Sequence, residues 1–161
     1  MIKSDVEGLR KAWPWVIVVV LFLTGVIYLV LLHFGTVLTA SAVVELEKAV
    51  IQINGLLIAF TGIIFTGMLA EVRFRTERAL QKTDQQRVDR LDRMSKALRK
   101  SAFFSFLFFS GSLADAIGNL AAALSSMSST YLMASVFVLP VMLMVGGLAL
   151  LMVALALIAL E

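Results

Sequence analysis

One carboxylate and one amide, Asp115 and Asn119, lie within the segment SFLFFSGSLADAIGNL, which is hydrophobic enough for a membrane interior. An ionisable group at membrane depth costs about 2.5 to 3.5 kcal/mol on insertion scales, so it is expected to face a bundle interior or water and is a candidate functional group. No Lys or Arg lies inside any predicted span. Asp115 is therefore expected to be either protonated in a dry contact or ionised beside water and a cation.

The spacing of polar residues around Asp115 places them on one face of a helix. Ser105, Ser112, Asp115 and Asn119 follow at steps of seven, three and four, which repeat on a single stripe of an α-helix. Such a stripe either lines water or seals a contact between helices by hydrogen bonds. We predict these four residues, together with Asn54 of the preceding span, to line a pore or bind an ion.

Two further carboxylates, Glu45 and Glu47, precede the second span. If several subunits surround an axis, these residues are expected to form an acidic external vestibule that concentrates cations. The alternative is ordinary solvated charge at a helix start, where the helix dipole favours carboxylates. His33 ends the first span near the same face, and a proton-sensitive pair of His33 with Asp115 is the sharper of two interpretations, the other being an interfacial imidazole.

The elements that position these residues are predicted to be membrane-spanning helices. The 161-residue chain is 60% hydrophobic and 16% charged, far from the usual balance of soluble domains. Four continuously apolar segments are long enough to cross a hydrocarbon core of about 30 Å: about 13–34, 50–70, 102–124 and 131–160. Continuous rather than alternating apolar runs favour helices over a barrel. We expect an all-α polytopic membrane protein, with residues 1–161 forming one four-span domain.

Residues 71–100 form a basic segment between the second and third spans. They hold ten of the chain's fourteen Lys and Arg residues, so the positive-inside rule places this segment and both termini in the cytoplasm. Good helix formers and i,i+4 acid–base pairs predict that both spans continue into a cytoplasmic helical hairpin with its turn at 81–86. Anionic lipid or a cytoplasmic protein is the expected partner of this hairpin, and nucleic acid is not.

The residue types present argue against an enzyme. The chain has no cysteine and one histidine, and it contains no metal-ligand cluster, phosphate-binding loop, nucleophile elbow or dinucleotide fingerprint. We therefore expect no catalytic residues, no metal and no cofactor.

The functional hypothesis is a homo-oligomeric membrane pore that conducts cations. Repeating the third-span stripe around a symmetry axis would line a hydrated path with rings of Asp115 and Asn119 in its outer half. A small transporter or sensor is a further alternative.

The main alternative is a scaffold, an accessory subunit or an insertase-like protein whose basic hairpin docks a cytoplasmic partner. A span, a cytoplasmic helical hairpin and two further spans resemble the order in the membrane insertase superfamily, with the first span as an addition. The hairpin here is short. The basic residue that those insertases place in an intramembrane groove is missing at membrane depth between residues 50 and 160.

Overall fold

The structure is a computed structural model that describes residues 2–125 and 130–159, with the backbone alone described at 2–13, 16, 17 and 157. The described part of the chain is all-helical in class, with 92% of its residues in helices, which confirms the predicted fold class at that level. The predicted domain residues 1, 126–129, 160 and 161 lie outside the described part. In chain order the elements are α1 (Ile2–Phe34), β1 (Val37–Thr39), α2 (Ala40–Gln81), α3 (Gln85–Ser125), β2 (Thr130–Leu132) and α4 (Met133–Ala159).

Three of these helices, α2, α3 and α4, are long and apolar enough to span a membrane. The described apolar stretch of α1, Val18–Phe34, is shorter. The outer surface of α2 and α3 carries large apolar side chains, with Leu56 72% and Phe103 63% exposed. A surface of this kind is compatible with an integral membrane protein, because lipid tails are as apolar as these side chains.

Helices α2 and α3 form one long antiparallel hairpin. The turn falls at residues 82–84, inside the predicted 81–86. Thr83 adopts a left-handed conformation with φ of 57°, and Asp84 begins α3 by accepting a hydrogen bond from the backbone N–H of Arg87 at 3.1 Å. Both helices run without a break from the predicted spans into residues 71–100, a segment that we call the arm. The remaining parts of α2 and α3 are called the span half.

The arm packs on itself through apolar side chains. Leu98 and Leu91 are almost completely buried, together with Val72, Ala79 and Met94 of the arm. The same core continues beyond the arm to Phe65 and Met68 of the span half and to Leu151 and Ala154 of α4. Leu80, the neighbour of Ala79 in sequence, is 56% exposed. Ala79 takes the buried position because it, and not Leu80, continues the seven-residue spacing from Val72.

Helix α4 packs against α3 on one side and α1 on the other. Two glycines permit the close approach: a Cβ on Gly147 would lie 2.5 Å from the ring of Phe109, and one on Gly146 would lie 3.2 Å from Val20. Pro140 also lies in this helix. The glycine pair therefore serves packing between helices.

A short β-ladder, which the sequence did not predict, joins the two connections at the far end of the molecule. Strand β1 pairs antiparallel with β2, with Leu38 opposite Tyr131. Gly35, with φ of +60°, ends α1 just before the ladder. Thr39 then caps α2 by accepting a hydrogen bond from the backbone N–H of Ala42. Three-residue strands carry too weak an alternation to be recognised in sequence.

Candidate functional site

Two carboxylates and one amide meet where the start of α2 faces the end of α3. Nδ2 of Asn119 donates one hydrogen bond to Oε1 of Glu47 at 3.0 Å and another to Oδ2 of Asp115 at 3.3 Å. An amide nitrogen carries two hydrogens, so this arrangement uses both. Glu47 is completely buried, and Asp115 and Asn119 are partly buried. We call Glu47, Asp115 and Asn119 the carboxylate cluster.

The carboxylate cluster brings two carboxyl groups close together, one of them completely buried. Oε1 of Glu47 and Oδ2 of Asp115 lie close together, because both accept a hydrogen bond from the same nitrogen atom of Asn119. Among the described residues, the ion pairs involve other carboxylates and none reaches Glu47 or Asp115. Two like charges in a low-dielectric setting repel strongly, and a bound proton or another cation relieves that repulsion.

The β-ladder fixes the position of Glu47. It joins the start of α2 to the connection between α3 and α4. A small apolar cluster beneath it packs Val43 of α2 against Ala123 of α3 and Val136 of α4. Glu47 lies one helical turn after Val43, and Asn119 lies one turn before Ala123. The apolar contact therefore holds the two polar side chains opposite each other.

A second polar contact lies seven residues further along both helices. Asn54 Nδ2 donates to Ser112 Oγ at 2.7 Å and to the carbonyl oxygen of Val50 at 3.1 Å. Ser112 Oγ in turn donates to the carbonyl oxygen of Pro140 at 2.7 Å. Asn54 and Ser112 are both completely buried. This contact links α2, α3 and α4 by side-chain hydrogen bonds.

A further step of seven residues reaches Thr61 on α2 and Ser105 on α3, both completely buried. Ser105 Oγ donates to the carbonyl oxygen of Gly147 at 3.3 Å. Gly147 lies seven residues after Pro140, so the same register extends to α4. Buried polar residues thus recur at three levels inside the span half. We call them the polar line: Glu47, Asn54, Thr61, Ser105, Ser112, Asp115 and Asn119.

Each α2 member of the polar line has a buried polar atom without a hydrogen-bond partner among the described residues. These atoms are Oε2 of Glu47, Oδ1 of Asn54 and Oγ1 of Thr61. Most buried polar atoms in proteins are satisfied, so an unsatisfied one calls for an explanation, such as a water, an ion or a catalytic role. Three of them on one stripe span about 21 Å at 1.5 Å per residue. The stripe therefore offers a sequence of acceptor positions along the hairpin.

The five pore-lining residues predicted from the sequence fall into three separate contacts: Asp115 with Asn119, Asn54 with Ser112, and Ser105 with Gly147. All of these contacts are formed within a single chain. The hydroxyl groups of Ser105 and Ser112 donate hydrogen bonds to carbonyl oxygens of α4. The two residues predicted to form a vestibule, Glu45 and Glu47, differ in their burial. Glu45 is exposed and pairs with Lys48 at 3.0 Å, whereas Glu47 is buried.

His33 is exposed, and its ring packs against Phe34 with centroids 5.9 Å apart. Sequence reasoning missed the membership of Glu47 and Thr61 in the polar line. The signal was present, because Glu47, Asn54 and Thr61 follow one another at seven-residue steps.

Among the residues that the structure describes, no group of three or more His, Asp or Glu could hold a metal ion. The carboxylate cluster has two carboxyl groups and one amide, whose oxygen atoms can accept hydrogen bonds. Comparison with protein-family models, curated proteins and solved structures finds no match to this chain.

Proposed function

We propose that the protein conducts cations across a membrane, with the carboxylate cluster as a cation-binding point at the outer end of the polar line. The observation that carries this proposal is the series of three buried, unpartnered polar atoms on α2, aligned with polar side chains of α3. Hydrocarbon surroundings give a helix pair little reason to bury so many polar groups for stability, since hydrogen bonds between membrane helices average only about 0.6 kcal/mol. Cation conduction would explain why these polar groups are buried.

The dimensions support the same proposal. From Ser101, at the expected cytoplasmic edge, to Asn119 the helix rises about 27 Å at 1.5 Å per residue, close to the hydrocarbon thickness of about 30 Å. The polar line follows most of that rise. The carboxylates lie near the expected outer surface, where a negative potential draws cations from solution.

The sequence predicts a homo-oligomer, and the proposal keeps this prediction. The number of subunits has to be measured. A shared central pore lined by α3 would require Ser105 and Ser112 to leave their bonds to the α4 carbonyls. A path within each chain needs no such change and can operate in any number of subunits. The mass of the detergent-solubilised particle measures that number directly.

The test is a flux assay in liposomes with the natural chain, Glu47→Gln and Asp115→Asn. Separate assays follow protons with a pH-sensitive dye, and Na⁺, K⁺ and Mg²⁺ with ion-selective probes. We expect both variants to lose most of the flux that the natural chain supports, because each removes one of the two negative charges. The matched control is Glu45→Gln, which removes an exposed charge two residues from Glu47 and should leave the flux nearly unchanged.

Two results would contradict the proposal. One is the absence of flux for all four cations, and the other is equal flux in the natural chain and both cluster variants. Either would favour the scaffold or insertase-like alternative, for which the supporting observation is the exposed basic surface of the arm. Binding partners of the arm would then be sought with the full-length protein.

A further inference from the structure

A cleft with a volume of about 240 Å³ lies beside the turn of the hairpin, at the end of the arm. Four of its lining side chains are basic and come from both helices and the turn. Two lining side chains are acidic, and Phe74 and Ala79 contribute an apolar wall. We call this the basic cleft, and its basic residues are Arg75, Arg78, Lys82 and Arg87.

The acidic residues of the basic cleft are already occupied. Glu71 accepts a hydrogen bond from Nε of Arg75 at 2.8 Å, and Asp84 accepts from the backbone N–H of Arg87 as the cap of α3. The guanidinium of Arg78 lies 4.2 Å from the centre of the Phe74 ring. Among the described residues, no ion pair engages the charges of Arg78, Lys82 or Arg87.

We infer that the basic cleft binds a phosphate group. The three cations without an ion pair outnumber the one carboxylate without an ion pair, Asp84, so the cleft gains stability when an anion neutralises the excess positive charge. Two of the three are arginines, whose planar forks match phosphate oxygens in two-pronged hydrogen bonds. The Phe74 ring contacts the guanidinium of Arg78 and orders it before an anion binds, which lowers the entropy lost on binding.

The location of the basic cleft leaves two sources for the phosphate. At 1.5 Å per residue, Arg75 lies about 7 Å beyond the predicted end of the span, and Arg87 lies about 20 Å beyond it. Headgroup layers add only about 5 to 7 Å on each side of the hydrocarbon core. The lower part of the cleft is therefore within reach of a lipid headgroup, and the upper part faces solution. A soluble phosphate compound and a phosphomonoester lipid present the same chemistry.

The experiment titrates inorganic pyrophosphate into the full chain in an uncharged detergent, with sodium chloride adjusted to constant ionic strength, and measures heat by calorimetry. A second arm uses mixed micelles of the same detergent with phosphatidic acid, or with phosphatidylcholine as the lipid control. The test variant is Lys82→Gln with Arg87→Gln. The matched control is Arg73→Gln with Arg90→Gln, which removes the same charge from exposed positions of the arm outside the cleft.

We expect the test variant to bind pyrophosphate at least about 10-fold more weakly than the natural chain, because it loses two charged hydrogen-bond donors. The control variant should bind nearly as well as the natural chain. Binding of pyrophosphate alone identifies a soluble ligand, and binding of phosphatidic acid alone identifies a headgroup. The inference is overturned if neither ligand binds, or if both variants weaken binding equally.

This inference is independent of the proposed conduction of cations. The basic cleft and the polar line share no residues, and calorimetry reads binding without flux. Failure of one proposal therefore leaves the other in place.

Discussion

The two halves of the α2–α3 hairpin share one packing register, but only the span half buries polar residues among the apolar ones. In the arm, the buried seam is apolar, with Val72, Met94 and Leu98 inside and charged residues outside. In the span half the same seven-residue spacing buries Glu47 and Asn54, while the outer surface is apolar. The helices continue through the boundary without a break, so the backbone does not create this difference. The difference therefore lies in the side chains.

Under the proposed membrane placement, different forces hold the two halves together. In water, removing apolar surface from solvent stabilises the arm. In a bilayer, burying an apolar side chain against another helix gains little over leaving it in lipid, so the span half can bury polar groups at little cost. The proposal therefore assigns stability chiefly to the arm and function to the span half.

The largest expected effect is the loss of an apolar side chain from the seam of the arm. Leu98→Ala should lower the free energy of unfolding by about 2 to 5 kcal/mol, the usual cost of a buried Leu→Ala change. Leu80→Ala is the matched control, because Leu80 is more than half exposed, and should change it by less than about 0.5 kcal/mol. Equilibrium unfolding in detergent, followed by circular dichroism, measures both. Equal losses in the free energy of unfolding of the two variants would mean that the buried apolar side chains do not stabilise the arm.

A smaller effect is expected where α3 meets α4. Gly147→Ala places a Cβ against the ring of Phe109, which is completely buried, and overpacking of this kind costs about 1 to 3 kcal/mol. Gly118→Ala has open space around its Cβ and should be neutral or slightly stabilising. The same unfolding measurement compares the two. A tolerated Gly147→Ala would show that α4 can move away from α3.

Within the polar line the expected effect on stability is small and the effect on function is large. Asn54→Leu removes a buried amide and its unpartnered oxygen, so the free energy of unfolding should change by less than about 1 kcal/mol in either direction. Cation flux should fall, because the middle level of the line becomes apolar. A destabilisation as large as that of Leu98→Ala would instead make Asn54 structural. The natural chain and Asn54→Leu are compared by unfolding and by liposome flux.

The sequence predicts the parts of this fold that depend on local patterns. Apolar runs give the helices, and the absence of glycine and proline between Gly67 and Gly111 gives their unbroken extension to a polar turn. The stripe of Ser105, Ser112, Asp115 and Asn119 follows from helical spacing. These signals need no knowledge of which helices touch.

Helical spacing places Glu47 on the same face as Asn54 and Thr61, but its burial could not be predicted from the same signals. Its neighbours in sequence suggest a solvated helix start, and Glu45 fits that description. The burial of Glu47 depends on the β-ladder and on the Val43 contact, which are long-range features. Its meeting with Asn119 follows only when the antiparallel register of α2 and α3 is known.

The smallest expected effect lies on the outer surface of the arm. Lys96 Nζ lies 2.7 Å from Oδ2 of Asp92, but both side chains are more than half exposed. An exposed pair of this i,i+4 type contributes about 0.3 to 0.5 kcal/mol, so Lys96→Gln should lower the free energy of unfolding by no more than that. Repeating the measurement at about 1 M salt, where the Debye length falls to about 3 Å, should remove the difference. A cost near that of Leu98→Ala, unaffected by salt, would show that charge outside the arm stabilises it as much as the apolar seam does, and the contrast between the two halves would then lose its physical basis.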